Sequence, residues 1–190
     1  MKITPIPHGL DILKSDIQRT EGLHMSTIYN DLYQDLEPKR YTRGGEPDAV
    51  RMAAGFCLEE MLEEGLKRRH AERPGEFTTP EGIIYSPDLI IFNGSTRLGE
   101  IKLTWLSSKE VPREASNALP PKFSKWITQM KAYCHHLEMP HARLLAYFVN
   151  GTYRPMQPEL LAWDIEFSAQ ELRDNWTMLL SHAKHKGMLK

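Results

Sequence analysis

The stretch SPDLIIFNGSTRLGEIKLTW, Ser86 to Trp105, reads as two apolar strands around Asn93-Gly94, a dipeptide suited to the positive φ of a hairpin turn. A plain core hairpin would carry no charge, yet this one holds Asp88, Glu100 and Lys102. Side chains alternate across a strand, so Glu100 and Lys102 share one face and Ile101 takes the other. A two-residue loop would set Asp88 opposite Gly99. A three-residue loop through Ser95, with a left-handed residue and a bulge, sets Asp88 opposite Glu100. The second register is expected, because it gathers two carboxylates and an ammonium at one spot.

Two adjacent carboxylates repel unless a cation lies between them. Oxygen ligands without His or Cys at ligand spacing favour Mg²⁺ or Mn²⁺ over zinc. Lys102 beside such a cation would orient and help deprotonate a water, or stabilise charge on a phosphoryl oxygen. The three residues alone equally allow a cross-strand salt bridge on a solvated face.

Working outward, EPDAVRMAAGFCLEEMLEEGLKRRH reads as a long helix. Pro47 and Asp48 suit its first turn, and Lys67, Arg68 and Arg69 its negative end. Met52, Phe56, Leu58, Met61, Leu62 and Leu66 form a broad apolar stripe. Gly55 within it is expected to permit close packing against another element. Upstream, MSTIYNDLYQDL is amphipathic, with Ile28, Leu32 and Leu36 on one face and Ser26 as N-cap. The loop RPGEFTTPEG precedes the hairpin. Beyond it come a polar loop, the helix KFSKWITQMKAYCHHLE, the buried strand of ARLLAYFVNGTY and the strand ELLAWDIEFS. A last helix starts near Ala169, where Ser168 and Glu171 have a capping-box pattern. This order implies an α/β fold with a central mixed β-sheet flanked by helices. One domain over 1–190 is expected, with 1–46 as an N-terminal extension.

Bulk properties agree with a soluble, cytoplasmic protein. The 190 residues carry a formal charge of −1, so any affinity for polyanions must come from local clusters such as PKRYTR and KRRHAER. The two cysteines, Cys57 and Cys134, argue against a disulfide framework, a zinc knuckle or an iron–sulfur cluster. No apolar run reaches membrane-spanning length, and no phosphate-binding loop of an ATP-driven motor is present.

Pro87-Asp88, eleven residues, then Glu100-Ile101-Lys102 resembles the PD-(D/E)XK nuclease signature. Pro47-Asp48 is a similar pair, but it opens a helix and leads to no such strand. In the next helix Gln129 and Tyr133 stand four apart on one face, resembling the QxxxY motif of the RecB-like and lambda-exonuclease-like branch. GFCLE, Gly55 to Glu59, resembles that branch's Gly-x-x-x-(His/Glu) helix. The three elements keep the branch's order across residues 47–138, within an αβββαβ restriction-endonuclease-like core.

The resemblance implies that Asp88, Glu100 and the carbonyl of Ile101 hold Mg²⁺ or Mn²⁺, with Glu59 adding a ligand directly or through water. Lys102 would position the water, and Gln129 and Tyr133 would orient the lysine or the scissile phosphate. The implied activity is a metal-dependent deoxyribonuclease, an exonuclease of recombination or end processing as in phages and bacteria. An endonuclease or a non-catalytic nucleic-acid-binding protein on the same fold are the alternatives. DNA is the implied partner, with room for a recombination protein or a homo-oligomer. Trp105, Lys122 and Lys125, around the loop 106–121 at the mouth of the site, suit a separated strand, since stacking is worth ~1–3 kcal/mol per base. Ser26 at a helix N-terminus would meet a phosphate or act as a simple cap. His135 and His136, unable to share a face, read as structural or solvated; Trp163 and Trp176 read as core anchors.

Overall fold

The computed structural model describes residues 20–41, 49–67, 70–92, 94–116, 118–154 and 156–189. Asn93, the pair Pro47-Asp48 and Arg68-Arg69 lie outside them. Five strands form the main mixed sheet: β2 (Ala71–Glu72), β5 (Leu89–Ile91), β6 (Arg97–Thr104), β7 (His141–Phe148) and β8 (Glu159–Glu166), in the order β2-β5-β6-β7-β8. The β6–β7 pair is parallel and the other pairs are antiparallel. A smaller sheet joins β1 (Leu23–His24), β4 (Ile83–Tyr85) and β3 (Phe77–Thr78). Part of the stretch expected as a loop before the hairpin is therefore strand.

Helices cover both faces of the main sheet. Met25, Ile28 and Leu32 of α1 (Met25–Leu36), Met130 and Tyr133 of α3 (Ser124–His136), and Leu172, Trp176 and Leu179 of α4 (Ala169–His185) share one core with Leu98, Ala142 and Leu144 of the sheet. On the other face Leu58 and Leu62 of α2 (Ala49–Lys67) pack with Leu89, Ile101 and Leu145. The central strand β7 thus buries most of both sets of its alternating side chains, which explains its near-continuous apolar run, whereas the last strand, β8, alternates half-buried and exposed residues.

Hairpin pairing follows the expected register, with Leu89 opposite Gly99 and Ile91 opposite Arg97. The turn is wider than three residues. The Phe92 N–H donates instead to the His70 carbonyl at 2.7 Å, which draws Phe92 toward β2 and ends the ladder at Ile91. Gly94 has φ +82°, the left-handed conformation that only glycine adopts without strain. Gly99 serves a different need. A Cβ there would lie 2.9 Å from Leu89 Cβ and 3.1 Å from Ile91 Cδ1, so its bare backbone lets β5 close onto β6.

Several local expectations are corrected. His24, not Ser26, is the N-cap of α1; Ser26 lies inside the first turn. Leu36 is exposed, because the chain leaves the core after Tyr33. A Cβ at Gly55 would meet nothing within 4 Å beyond its own helix, so among the described residues no close neighbour requires glycine there. Of the stripe of α2, Leu58 and Leu62 pack on the sheet and Phe56 is half-buried, while Met52 and Met61 are exposed; the side chain of Leu66 lies outside those described. His135 and His136 both pack on the indole of Trp176, with ring centroids 5.9 and 4.3 Å away; a wide ring on α4 spans two neighbouring positions of α3. The capping box of α4 forms as read: Glu171 N–H donates to Ser168 Oγ at 3.2 Å, and Ser168 N–H to Glu171 Oε2 at 2.9 Å.

Candidate active site

The hairpin brings its charged residues together beneath α3. The carboxylate of Asp88, one residue ahead of β5, accepts a hydrogen bond from the Ile101 N–H at 2.7 Å. This bond continues the ladder by side chain where β5 stops, so Asp88 is tied to the backbone between Glu100 and Lys102. Glu100 points to the α1–α3 face of β6 and is fully buried. Its Oε1 accepts from Lys102 Nζ and from Gln129 Nε2, the latter at 2.6 Å. Gln129 Nε2 also reaches the Tyr133 hydroxyl at 3.3 Å. Four positions on an α-helix make one turn and a little more, so one face of α3 presents both polar groups to the sheet.

Electrostatics follow from this burial. Burial raises the pKa of Glu100, and Asp88 raises it further; Lys102 works the other way without cancelling them. Burial opposes the charge on Lys102, but Glu100 and Asp88 outweigh it and hold the ammonium above its ordinary value. Glu59 is pushed up to about 7, first by burial and then by Asp88, against the pull of Arg73 and Lys102. Arg73 Nη2 lies 3.6 Å from Glu59 Oε2. The acids thus outnumber the positive charge that Lys102 supplies.

The other expected residues fall into two groups. Lys125, one helical turn before Gln129, is depressed by burial and then by the nearby Lys102 ammonium. Lys122 is engaged elsewhere: its Nζ donates to the Ser107 carbonyl at 3.1 Å and pairs with Glu110 at 2.9 Å. Trp105 is half-buried beyond β6, and its carbonyl accepts from the Tyr153 hydroxyl at 2.5 Å. The loop after it is pinned to the β7–β8 end, with Ser108 N–H on the Gly151 carbonyl and Trp163 Nε1 on the Pro112 carbonyl. Ser26 is half-buried in α1.

Tyr29 is a member that sequence reasoning missed. It is buried on α1 and within electrostatic reach of both Lys102 and Tyr133. Its signal was a polar-tipped aromatic directly beside Ile28 in the buried stripe, a residue type that normally needs a partner for its hydroxyl.

The residues fit a divalent cation. Glu100 Oε2 is buried without a hydrogen-bond partner, although the other oxygen of the same carboxylate takes two donors. An unsatisfied buried oxygen costs about 1–3 kcal/mol, more for a charged group, and a bound cation would satisfy it. The backbone carbonyl of Ile101 adds a further hard oxygen donor of the type Mg²⁺ takes. Among the described residues a tighter cluster, Asp31, Asp35 and His182, has ligand atoms within 4.8 Å of one another. Lys186 already lies 2.6 Å from Asp35 and 3.5 Å from Asp31, so that trio holds its own counter-ion.

Solved structures share this architecture. The chain is similar to an alkaline exonuclease from Laribacter hongkongensis (16% identity, 86% of this chain and 87% of that one, TM-score 0.51). It is similar to a phage-related exonuclease from Haemophilus somnus 129PT (15% identity, 83% and 78%, TM-score 0.50). The structure of SSO0001 also matches (17% identity, 95% and 82%, TM-score 0.52). No family model matches the chain, and no curated protein matches it in sequence. The chain has the nuclease fold of these exonucleases, the fold expected from the PD-(D/E)XK resemblance. Among the described residues no helix is long and apolar enough to cross a membrane.

Proposed function

We propose that the protein is a metal-dependent deoxyribonuclease that hydrolyses phosphodiester bonds, acting from DNA ends in recombination or end processing. The observation that carries this reading is the buried Glu100 carboxylate, shared by Lys102 and Gln129 through one oxygen and unsatisfied at the other. If the carboxylate served the salt bridge alone, that oxygen would stand as an uncompensated cost of burial.

In this reading Asp88, Glu100 and the Ile101 carbonyl hold Mg²⁺ or Mn²⁺, with Glu59 adding negative charge from α2. The cation would supply Lewis-acid activation of a water and of the phosphoryl oxygens. Lys102 holds its proton at neutral pH, so it acts as a hydrogen-bond donor that orients the attacking water or meets charge on the phosphate. Gln129 fixes Glu100 Oε1, and Tyr133 buttresses Gln129. Asp88 is fixed by the Ile101 N–H, so neither acid has to reorganise when substrate arrives.

Likeness of fold to the two exonucleases supports end-dependent cleavage. The test is digestion of end-labelled linear duplex and closed circular DNA in Mg²⁺, Mn²⁺ or EDTA, beside Lys102→Ala. Loss of the linear substrate alone, requiring metal and lost in the variant, is the expected result. Cutting of the circle would replace the exonuclease by an endonuclease. Binding without cleavage under every condition would leave only a nucleic-acid-binding protein.

A further inference from the structure

The nuclease reading leaves open how a strand reaches the acids, and the start of α3 bears on this. Lys125, Gln129 and Tyr133 follow at four-residue intervals, so Lys125 extends the polar face of α3 by one turn toward its N-terminus. Its Nζ sits 4.9 Å from the centroid of Tyr41 and 5.7 Å from that of Tyr29. Among the described residues it faces these rings rather than a carboxylate. Burial, and then the Lys102 ammonium, pull Lys125 down to about 8. A half-buried cation placed next to another cation is costly unless an anion joins them.

Arg40 extends the same patch. Its guanidinium lies 5.6 Å from the Tyr41 centroid, so one ring serves both cations. Its Nη2 donates to the Lys122 carbonyl at 2.5 Å, which docks the segment after α1 onto the start of α3. The Glu37 contact of Arg40 Nη1, at 3.2 Å, is between exposed partners and leaves the guanidinium accessible. From Lys102 the positive groups run outward as Lys125 and then Arg40, backed throughout by tyrosine.

Another face of α3 carries no such track. A groove of about 1050 Å³ there includes Glu114, Asp164, Glu166 and Glu171 in its lining. Its Lys131 and Arg113 are already paired, with Glu171 and Glu159. Its Asp164 is likewise paired, with Arg143 and Arg97, so among the described residues the groove offers no track of cations like the one leading out from Lys102.

We infer that Lys125 and Arg40, mounted on Tyr29 and Tyr41, form a strand-binding subsite that takes the backbone phosphates of DNA next to the scissile one. This inference rests on the nuclease reading, since it supposes that Lys102 marks the cleavage point. Tyr29 and Tyr41 are positioning residues here, holding the two cations by their rings.

The test pairs binding with turnover. Fluorescence anisotropy of labelled single-stranded and duplex oligonucleotides is followed against salt in EDTA, where no cleavage is needed. Removing a cation that contacts phosphate lowers the salt slope by about 1. Arg40→Gln and Lys125→Gln are each expected to flatten the slope by that amount and to raise KM roughly tenfold, with kcat within about threefold. Lys125→Arg, which keeps a cation over the rings, should restore the slope. Unchanged slopes and KM in both Gln variants would overturn the subsite. Arg40 is exposed, so its variant tests the inference even if Lys125→Gln fails to fold. If the wild type binds with the expected slope yet never cleaves in Mg²⁺ or Mn²⁺, the catalytic reading fails and the phosphate track stands.

Discussion

Asp88 Oδ2 accepts the backbone N–H of Ile101 at 2.7 Å, so an acid of the site also serves as a rung of the sheet. Charge and structure can be separated at this residue. Asn keeps an oxygen for the Ile101 N–H and loses the charge, whereas Ala loses both. Asp88→Asn should melt within a few degrees of wild type and lose more than ~100-fold in cleavage, the scale associated with removing one electrostatic contributor. Asp88→Ala should lose the same activity and a further ~1–3 kcal/mol of stability, because the N–H is left without its acceptor. Thermal melts beside single-turnover cleavage check both parts. Equal stability of the two variants would mean that the bond is not formed in solution.

Gly99 should be intolerant for a reason that involves no chemistry. A methyl group there would stand 2.9 Å from Leu89 Cβ, below any ordinary contact, so β5 must move away from β6. Overpacking of this kind typically costs ~1–3 kcal/mol. Asp88 directly precedes β5, so Gly99→Ala should lower stability and cleavage together. Chemical denaturation and a cleavage assay on the same sample would show it; activity lost without any change in stability would contradict the steric account.

Reading the hairpin from sequence succeeded because two constraints agreed. Alternation put Glu100 and Lys102 on one face, and the wish to join Asp88 to them selected the register that the chain adopts. The width of the turn was not legible, since it depends on the distant His70 carbonyl capturing Phe92. Tyr29 escaped for a similar reason: α1 reaches the site through tertiary packing on α3, α4 and β4, which its own periodicity does not announce. The small sheet is built from strands of two or three residues, too short to show a period. Lys122 looked equivalent to Lys125 in sequence, but only Lys125 is one turn from Gln129; Lys122 falls toward Glu110.

Metal binding should be visible as stability, because a cation would answer the unsatisfied Glu100 Oε2. A ligand at a hundredfold excess over its Kd adds about 2.7 kcal/mol, which for a domain of this size is about 5–10 °C in Tm. Replacing EDTA by Mg²⁺ or Mn²⁺ should raise the melting temperature by this order. Glu100→Gln should abolish the increment. A wild-type Tm indifferent to both metals would remove the cation from the site.

Glu59 ties stability to pH in the metal-free protein. Burial, with Asp88 next, places its folded pKa at about 7, against an ordinary value of 4.5. Between these two values the folded state binds more protons than the unfolded state. The Glu59 contribution to stability therefore falls as pH rises through that interval, and above about 7 the charged carboxylate carries its full penalty. Glu59→Gln removes the charge without changing the shape. In EDTA it should melt above the wild type at pH 8, and the gap should close as pH falls toward 4.5. Loss of the Arg73 contact works against the variant, but that pair is partly exposed and contributes little. Added Mg²⁺ should shrink the gap at pH 8, since the wild-type carboxylate then faces a cation. Melting curves at three pH values, with and without metal, test the sign directly. A gap that widens toward acid would mean that Glu59 is stabilised as the anion by Arg73 and does not belong to the crowded acidic cluster.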